Sequence, residues 1–462
     1  MEKITIEKNV KKIKIPALGI AVGLFCILLN FPIFDNPQAQ KAFAVLVMVA
    51  VLWMTEAIPL AMTGLLIPVV ASLLHLVPPA EAFHEFAHPI IFLFMGGFVI
   101  AGALTHYGLD KLLAQKLILL ARGNFYKSAI LLMFATSITA CWVSNTAATA
   151  MMIPLGLGLL ALLKKDNISS ESKFLILGIA YAANIGGVIT MVASPPNAIG
   201  AAILGLSFSK WMLYALPVFL LTFPVMIVIL TLYFKPDRKM LIGEMIASKK
   251  KIVPNKTLIA IFIFTVTLWI FDSVLSPILQ LSNSFSSLVA LIAIFLIFIT
   301  KVLDWKQIIN SIQWDVLLLF GGGLTLGMLI EHSGLGTILV DAITQLITVV
   351  PLFIFLWIIV LFSIVLTEFM SNTASAALIL PLLFTMANQL HINPMILVFP
   401  ATIAASYGFM LPAGTPPNAM AFATGLVPQK DMMKVGLVLN LVFSIILTTF
   451  FYFIFPNTFE YK

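Results

Sequence analysis

The chain is poor in charge and nearly devoid of cysteine. Of its 462 residues only 10% are Asp, Glu, Lys or Arg, whereas 61% are hydrophobic, and the mean hydropathy is +1.10. Disordered and ordinary soluble classes are thereby excluded. Cys26 and Cys141 both lie within apolar runs, where neither a disulfide framework nor a zinc site is to be built from them. His75, His84, His88 and His106 lack metal-ligand spacing, so no metal beyond simple ions is expected. No stretch is polar enough for a separate soluble domain. The start, MEKITIEKNVKKIKIP, is basic for too long to be a cleavable signal, and no small-residue site closes the apolar run after Pro16. HExxH, GxSxG and paired-aspartate constellations are missing from the apolar runs, so an enzyme is not expected. What remains is an all-α polytopic membrane protein, one membrane domain filling residues 1–462.

A bilayer crossing takes about 20 apolar residues. Hydropathy places crossings near 13–34, 41–55, 58–77, 89–107, 172–206, 211–234, 257–280, 285–300, 314–331, 393–425 and 434–456. Two further apolar segments, 128–163 and 351–389, are too long for one crossing and too short for two. Lys127 and Lys164 bracket the first. Basic residues mark the cytoplasmic side, so that segment enters the membrane and returns, and the second does the same from the opposite side. The expectation is eleven transmembrane helices plus two re-entrant hairpins, with a cytoplasmic N-terminus and an extracytoplasmic C-terminus. The net charge of +7 then follows topology rather than a nucleic-acid partner: Lys3, Lys8, Lys11, Lys12 and Lys14, the 111–127 loop, Lys164, Lys165, Lys173, the 235–256 linker, Lys301, Lys306, Lys430 and Lys434 fall inside. Only Lys41, Lys210 and Lys462 stay outside.

Self-comparison finds three matched pairs in the same order. FMGGFVIAGALTHYGLDKLL at 94–113 aligns with FGGGLTLGMLIEHSGLGTIL at 320–339, VSNTAATA at 143–150 with MSNTASAA at 370–377, and ASPPNA at 193–198 with GTPPNA at 414–419. After the extra first span at 13–34, repeat 1 (41–234) and repeat 2 (257–456) each hold five crossings and one hairpin. Five is odd, so the second copy sits inverted. Inverted repeats build solute sites at the bilayer midplane from discontinuous helices, and this organisation points to transport.

Ser144-Asn145-Thr146 and Ser371-Asn372-Thr373 fall at the middle of the two hairpins, and so at their tips. Ser, Asn and Thr are good N-caps; the helices that follow, expected from Ala147 and Ala374, would aim free N–H groups at a carboxylate. Their oxygens are also hard ligands for simple cations. Ser194-Pro195-Pro196-Asn197 and Thr415-Pro416-Pro417-Asn418 break two long helices, freeing carbonyls at Ala193 and Gly414 that a bound cation would satisfy. No charged residue lies between Lys127 and Lys164 or between Glu368 and Lys430, so the tips hold no Lys or Arg clamp. Helix dipoles and co-bound monovalent cations would have to compensate an anion. Glu368 either helps a cation site or faces water at the hairpin rim; Glu56 and Asp272 are expected at the interface.

These paired motifs resemble the divalent anion:sodium symporter family, the INDY-type di- and tricarboxylate transporters, over nearly the whole chain. The resemblance implies a homodimer in the plasma (inner) membrane, with a scaffold and a mobile domain carrying both hairpins, and sodium-driven import of C4 dicarboxylates such as succinate, malate and fumarate by an elevator movement. It implies a first sodium (Na+) site at Ser144 and Asn145 with backbone near Ala140 and Ala193, and a second at Thr367 and Asn372 with backbone near Met370 and Gly414. Substrate would contact Asn145, Thr146, Asn372, Thr373, Thr415 and Pro416. Where relatives can carry Ser four residues before the first triplet, this chain has Ala140. If only the carbonyl is used nothing changes; if the hydroxyl matters, the first site is weaker. A cation-independent dicarboxylate exchanger and a sulfate or citrate transporter of the same fold are the alternatives.

Overall fold

The computed structural model describes residues 13–163, 169–242, 254–281, 284–347 and 350–454. The topology markers Lys3, Lys8, Lys11, Lys12, Lys164, Lys165 and Lys462, and residues 243–253 of the 235–256 linker, lie outside these residues. Helices dominate, and among the described residues the only β pairing is one isolated bridge between Asn124 and Leu241.

In the first half, α1 (Ile15–Asn30), α2 (Pro37–Thr55), α3 (Leu60–Leu73), α4 (Pro79–His84), α5 (Pro89–His106) and α6 (Leu109–Leu119) precede the first hairpin, α7 (Phe125–Ala140) and α8 (Asn145–Ala161). Then come α9 (Ser170–Gly186), α10 (Pro195–Ile203) and α11 (Phe208–Phe234). In the second half α12 (Lys256–Ile270), α13 (Asp272–Ile278), α14 (Phe285–Ile299), α15 (Trp305–Ser311), α16 (Trp314–His332) and α17 (Leu335–Ile347) precede the second hairpin, α18 (Leu352–Phe369) and α19 (Asn372–Gln389). The chain closes with α20 (Pro394–Ala404), α21 (Pro416–Ala423) and α22 (Gln429–Ile454).

Among the described residues six helical stretches are long and apolar enough to cross a membrane alone, seven if α12 and α13, bent by 75°, count as one. The expected spans 172–206 and 393–425 are each two helices with an unwound stretch between. The unwinding occupies 187–194 and 405–415, upstream of the Pro pairs rather than at them. Pro at the first turn of α10 and α21 costs nothing, since the N–H it lacks has no intrahelical partner there. Four elements had no expectation. α4, α6, α15 and α17 are short helices in what reads as connecting sequence, and none contains an apolar run long enough to register as a span.

Lipid supplies no hydrophobic drive between membrane helices, so their contacts depend on small residues that let backbones approach. The crossing of α3 and α16 is built this way: a Cβ on Gly322 would lie 2.4 Å from the Cα of Gly64. At the matching place in the first half, a Cβ on Gly96 of α5 would lie 2.5 Å from that of Ala290 on α14. The two hairpins and the two broken helices then interlock. α10, which follows the first break, packs against the second hairpin's α19, and α21, which follows the second break, packs against α8 and α9. Side chains of the two breaks also meet directly, Ser194 Oγ lying 3.4 Å from Ser406 Oγ. This exchange of partners is what carries motifs more than 200 residues apart to one place.

Candidate functional site

Each hairpin turns where its triplet stands. α8 begins at Asn145 with Ser144 as N-cap, the Ser144 hydroxyl accepting from the Ala147 N–H at 3.3 Å. α19 begins at Asn372 after Ser371, whose side chain makes no capping bond. Both helices therefore start two residues earlier than Ala147 and Ala374, because Asn takes helical dihedrals once Ser occupies the cap.

The unwound stretches must satisfy their own polar groups away from water. Asn197 Nδ2 donates to the carbonyls of Gly187 and Thr190, both at 2.8 Å. Asn418 Nδ2 donates to those of Gly408 at 2.8 Å and Leu411 at 3.1 Å. Both asparagines thus reach back ten and seven residues. The Asn of each Pro-Pro-Asn is a clamp on the loop before it. The first loop is also held by Trp211 Nε1, which donates to the Val188 carbonyl at 3.0 Å, and by the Thr190 hydroxyl, which donates to the carbonyl of Cys141 at 2.5 Å. In the second loop Glu368 takes the corresponding place. Its carboxylate accepts from the N–H groups of Met410 at 2.7 Å and Leu411 at 2.9 Å and from Asn440 Nδ2 at 2.7 Å. Only 3% exposed, Glu368 does not face water at the rim; it fastens the second hairpin to the second break.

A cavity of about 680 Å³ lies where tips and breaks meet. Ser144, Asn145, Thr146, Ala193 and Ser194 line it from the first half, and Met370, Ser371, Asn372, Thr373, Gly414, Thr415 and Pro416 from the second. The remaining two expected site residues stand behind the wall. Thr367 is buried with its hydroxyl 2.7 Å from both Asn372 Oδ1 and the Ala405 carbonyl, so it orients Asn372. Ala140 is buried in a small cluster with Ala148 and Ala183.

Several wall residues were not foreseen. The tips are free of cationic side chains as expected, yet the opposite wall carries Lys14 and Glu56 together with Gln313. Lys14 Nζ donates to the Thr55 carbonyl at 2.7 Å, and its N–H to the Ala57 carbonyl at 3.1 Å. Glu56, expected at the interface, is instead a half-buried part of this wall in left-handed conformation with φ 45°. Another is Asn184, fully buried near the end of α9. Its Nδ2 donates to Thr415 Oγ1 at 3.1 Å, and its Oδ1 lies 3.5 Å from Asn145 Nδ2. A lone Asn within ILGIAYAANIGG was its only signal. Asp272, also expected at the interface, is buried at the elbow of α12 and α13, accepting from Ser286 Oγ and, at 3.3 Å, from the Phe208 N–H. A carboxylate at an elbow looks interfacial in a hydropathy profile, where the polar groups of neighbouring helices are invisible.

Asn145 bears on cation binding. Its Oδ1 is buried and has no hydrogen-bond partner among the described residues, a costly arrangement for a carbonyl oxygen. The oxygen rests against Gly187, where a Cβ would lie 1.9 Å away. A hard neutral oxygen held without a donor fits a desolvated alkali cation.

A family model described as "Citrate transporter" matches residues 50–404. A protein described as an uncharacterized transporter from Haemophilus influenzae is 43% identical over 439 residues, 93% of this chain and 95% of that one. The sodium-dependent dicarboxylate transporter SdcS of Staphylococcus saprophyticus is 34% identical over 478 residues, 95% of this chain and 91% of that one. In three dimensions the chain is similar to the crystal structure of the Alcanivorax borkumensis YdaH transporter, with a TM-score of 0.56 and 14% identity, covering 95% of this chain and 99% of that one.

Proposed function

Because the chain belongs to the divalent anion:sodium symporter family, and so is a membrane transporter rather than an enzyme, we propose that it imports C4 dicarboxylates such as succinate, malate and fumarate together with sodium. The observation that carries this reading is the convergence of both Ser-Asn-Thr tips and both Pro-Pro-Asn breaks on one cavity. A dicarboxylate needs two anion-binding ends. The N-termini of α8 and α19 supply them, each with free N–H groups and a positive dipole end, and Asn145, Thr146, Asn372, Thr373, Thr415 and Pro416 frame the space between. Sodium ions enter as co-substrates, one at Ser144 and Asn145 with backbone of Ala140 and Ala193, the other at Thr367 and Asn372 with backbone of Met370 and Gly414. They neutralise the charge that the tips cannot, which ties anion uptake to the cation gradient.

Eleven crossings, an inverted repeat with its hairpins at 128–163 and 351–389, and a cytoplasmic N-terminus complete the reading. On that topology Lys14, Glu56 and Gln313 belong to cytoplasmic span ends, so the cavity opens inward. Movement of the hairpins and breaks as one body within a homodimer would carry the loaded site between the two faces. The alternative of cation-independent exchange is favoured by Ala140, which lacks a hydroxyl at the first cation site. Uptake of labelled succinate into proteoliposomes separates the two. The symporter accumulates succinate only under an inward sodium gradient and with empty vesicles; uptake indifferent to sodium, or dependent on preloaded anion, overturns the proposal.

A further inference from the structure

The two half-sites differ in one respect that their sequence similarity hides. In the second half Thr367 fixes the Asn372 side chain through a hydroxyl 2.7 Å from its Oδ1. The matched residue in the first half is Ala140, which has nothing to offer Asn145. Asn145 is nevertheless held, from another direction: its Nδ2 lies 3.5 Å from Asn184 Oδ1. At the place in the second break that corresponds to Asn184 stands Ala405, and there it is the Ala405 carbonyl that lies 2.7 Å from Thr367. Polar and apolar side chains have changed places between the halves. Where the hairpin carries a hydroxyl, the broken helix carries Ala; where the hairpin carries Ala, the broken helix carries Asn.

The exchange has a consequence because an asparagine has two ends. Asn184 Nδ2 donates to Thr415 Oγ1 at 3.1 Å, and Thr415 is the N-cap of α21, accepting from the Asn418 N–H at 3.3 Å. One buried side chain therefore joins the first hairpin tip to the second break. With Nδ2 of Asn145 turned toward Asn184, its Oδ1 is left facing Gly187 with no donor.

We infer that Asn184 is a positioning residue of this transporter: it takes over at the first tip the task of the hydroxyl absent from Ala140, holding Asn145 Oδ1 ready for a sodium ion and transmitting that ion's arrival to the substrate-lining Thr415. The inference rests on the sodium-coupled reading above. It assigns to Asn184 no contact with the solute.

The test is the sodium dependence of succinate uptake by the full-length protein in proteoliposomes, for the wild type, Asn184→Ala, Ala140→Ser and the double variant. Losing a pair of hydrogen bonds of ordinary strength corresponds to about a tenfold change in a binding constant. Asn184→Ala is expected to raise the sodium concentration for half-maximal uptake by about tenfold, with maximal uptake at saturating sodium largely kept. Ala140→Ser, which restores a hydroxyl beside Asn145, is expected to recover most of that shift in the double variant. A merely structural role would lower maximal uptake and leave the sodium profile unmoved. Should Asn184→Ala fail to fold, Asn184→Ser keeps a small polar group in the same space and is expected to show a shift in the same direction. An unchanged sodium profile in a folded Asn184 variant, or no recovery by Ala140→Ser, overturns the inference while leaving sodium coupling intact. A wild type indifferent to sodium overturns both, and is told apart because it appears without any substitution.

Discussion

Gly187→Ala separates folding from transport at a single atom. Gly187 has φ −65° and ψ −9°, dihedrals that alanine adopts freely, so the backbone gains about 0.4–1 kcal/mol through the unfolded chain. Its new Cβ, however, would stand 1.9 Å from Asn145 Oδ1 and 2.7 Å from Nδ2. Restoring van der Waals separation moves that amide by about 1.5 Å. The displaced atoms are the end of a side chain, and rotating it away from its preferred geometry costs about 0.5–1.5 kcal/mol. The two effects nearly cancel, so thermal stability in detergent is expected to stay within about 1 kcal/mol of wild type. Transport is expected to fall on the order of 100-fold, the loss typical of a binding group misplaced by roughly 1 Å. The neighbouring Gly186→Ala is the contrast. Its Cβ would meet Ser137 Cα and O at 2.4 Å each, and backbone cannot swing aside; overpacking of this kind costs about 1–3 kcal/mol or more, so this variant loses folded protein. Expression, tryptophan-monitored unfolding and sodium-driven succinate uptake read the three quantities. A folded Gly187→Ala protein that transports at the wild-type rate with the wild-type sodium dependence would show that the packing of Asn145 against Gly187 has no part in binding.

The second break should depend on Glu368 for its shape. Glu368→Gln replaces charge-assisted bonds, worth about 1.5–3 kcal/mol each, and turns an amide donor toward backbone donors; a lower unfolding midpoint and lost uptake are expected, and a variant as stable as wild type would contradict the clamp. Asn197→Leu and Asn418→Leu each strand two loop carbonyls, at about 1–3 kcal/mol per unsatisfied group. Comparable destabilisation is expected at both breaks, and a neutral outcome at either would refute their equivalence. Lys14→Glu reverses the sign of a wall residue, so on the proposed topology succinate rebinding from the cytoplasmic side, measured in inside-out vesicles, should weaken at low ionic strength. The effect should shrink as the Debye length falls below about 10 Å above 0.1 M salt; a salt-independent effect would mean that Lys14 acts through its bond to Thr55 instead.

Local sequence revealed much of the candidate site because its motifs are local. Ser-Asn-Thr starts a helix within a few residues and Pro-Pro-Asn marks a broken one; both are written in contiguous chain and were legible, apart from a two-residue error in where α8 and α19 begin, whereas the hold of Asn197 and Asn418 on the loop carbonyls before them was not. The breaks were expected at the prolines and lie upstream of them, since Pro starts a helix as readily as it stops one. Glu368 showed as an acidic exception with two open meanings, and only the position of Met410, Leu411 and Asn440 separates them. Asn184, Lys14 and Glu56 were missed for a different reason. Nothing near them in sequence distinguishes a lone Asn in an apolar helix, or a charge beside a span end, from an ordinary packed or interfacial residue.

The sequence by itself determined that this is a polytopic helical membrane protein of a sodium-linked anion transporter family, where its hairpins turn, and which segments match between its halves. Those properties follow from hydropathy, capping chemistry and repetition, all of which act over a few tens of residues. Tertiary structure decided that both tips and both breaks share one cavity, that a lysine and a glutamate of the N-terminal segment and first helix pair face it, and that a single asparagine joins the two half-sites. These depend on α10 packing against the second hairpin and α21 against the first, each in the other half of the chain, with glycine crossings fixing how closely the helices approach. Such contacts are between surfaces brought together only by folding, and no stretch of contiguous chain contains both sides of any one of them.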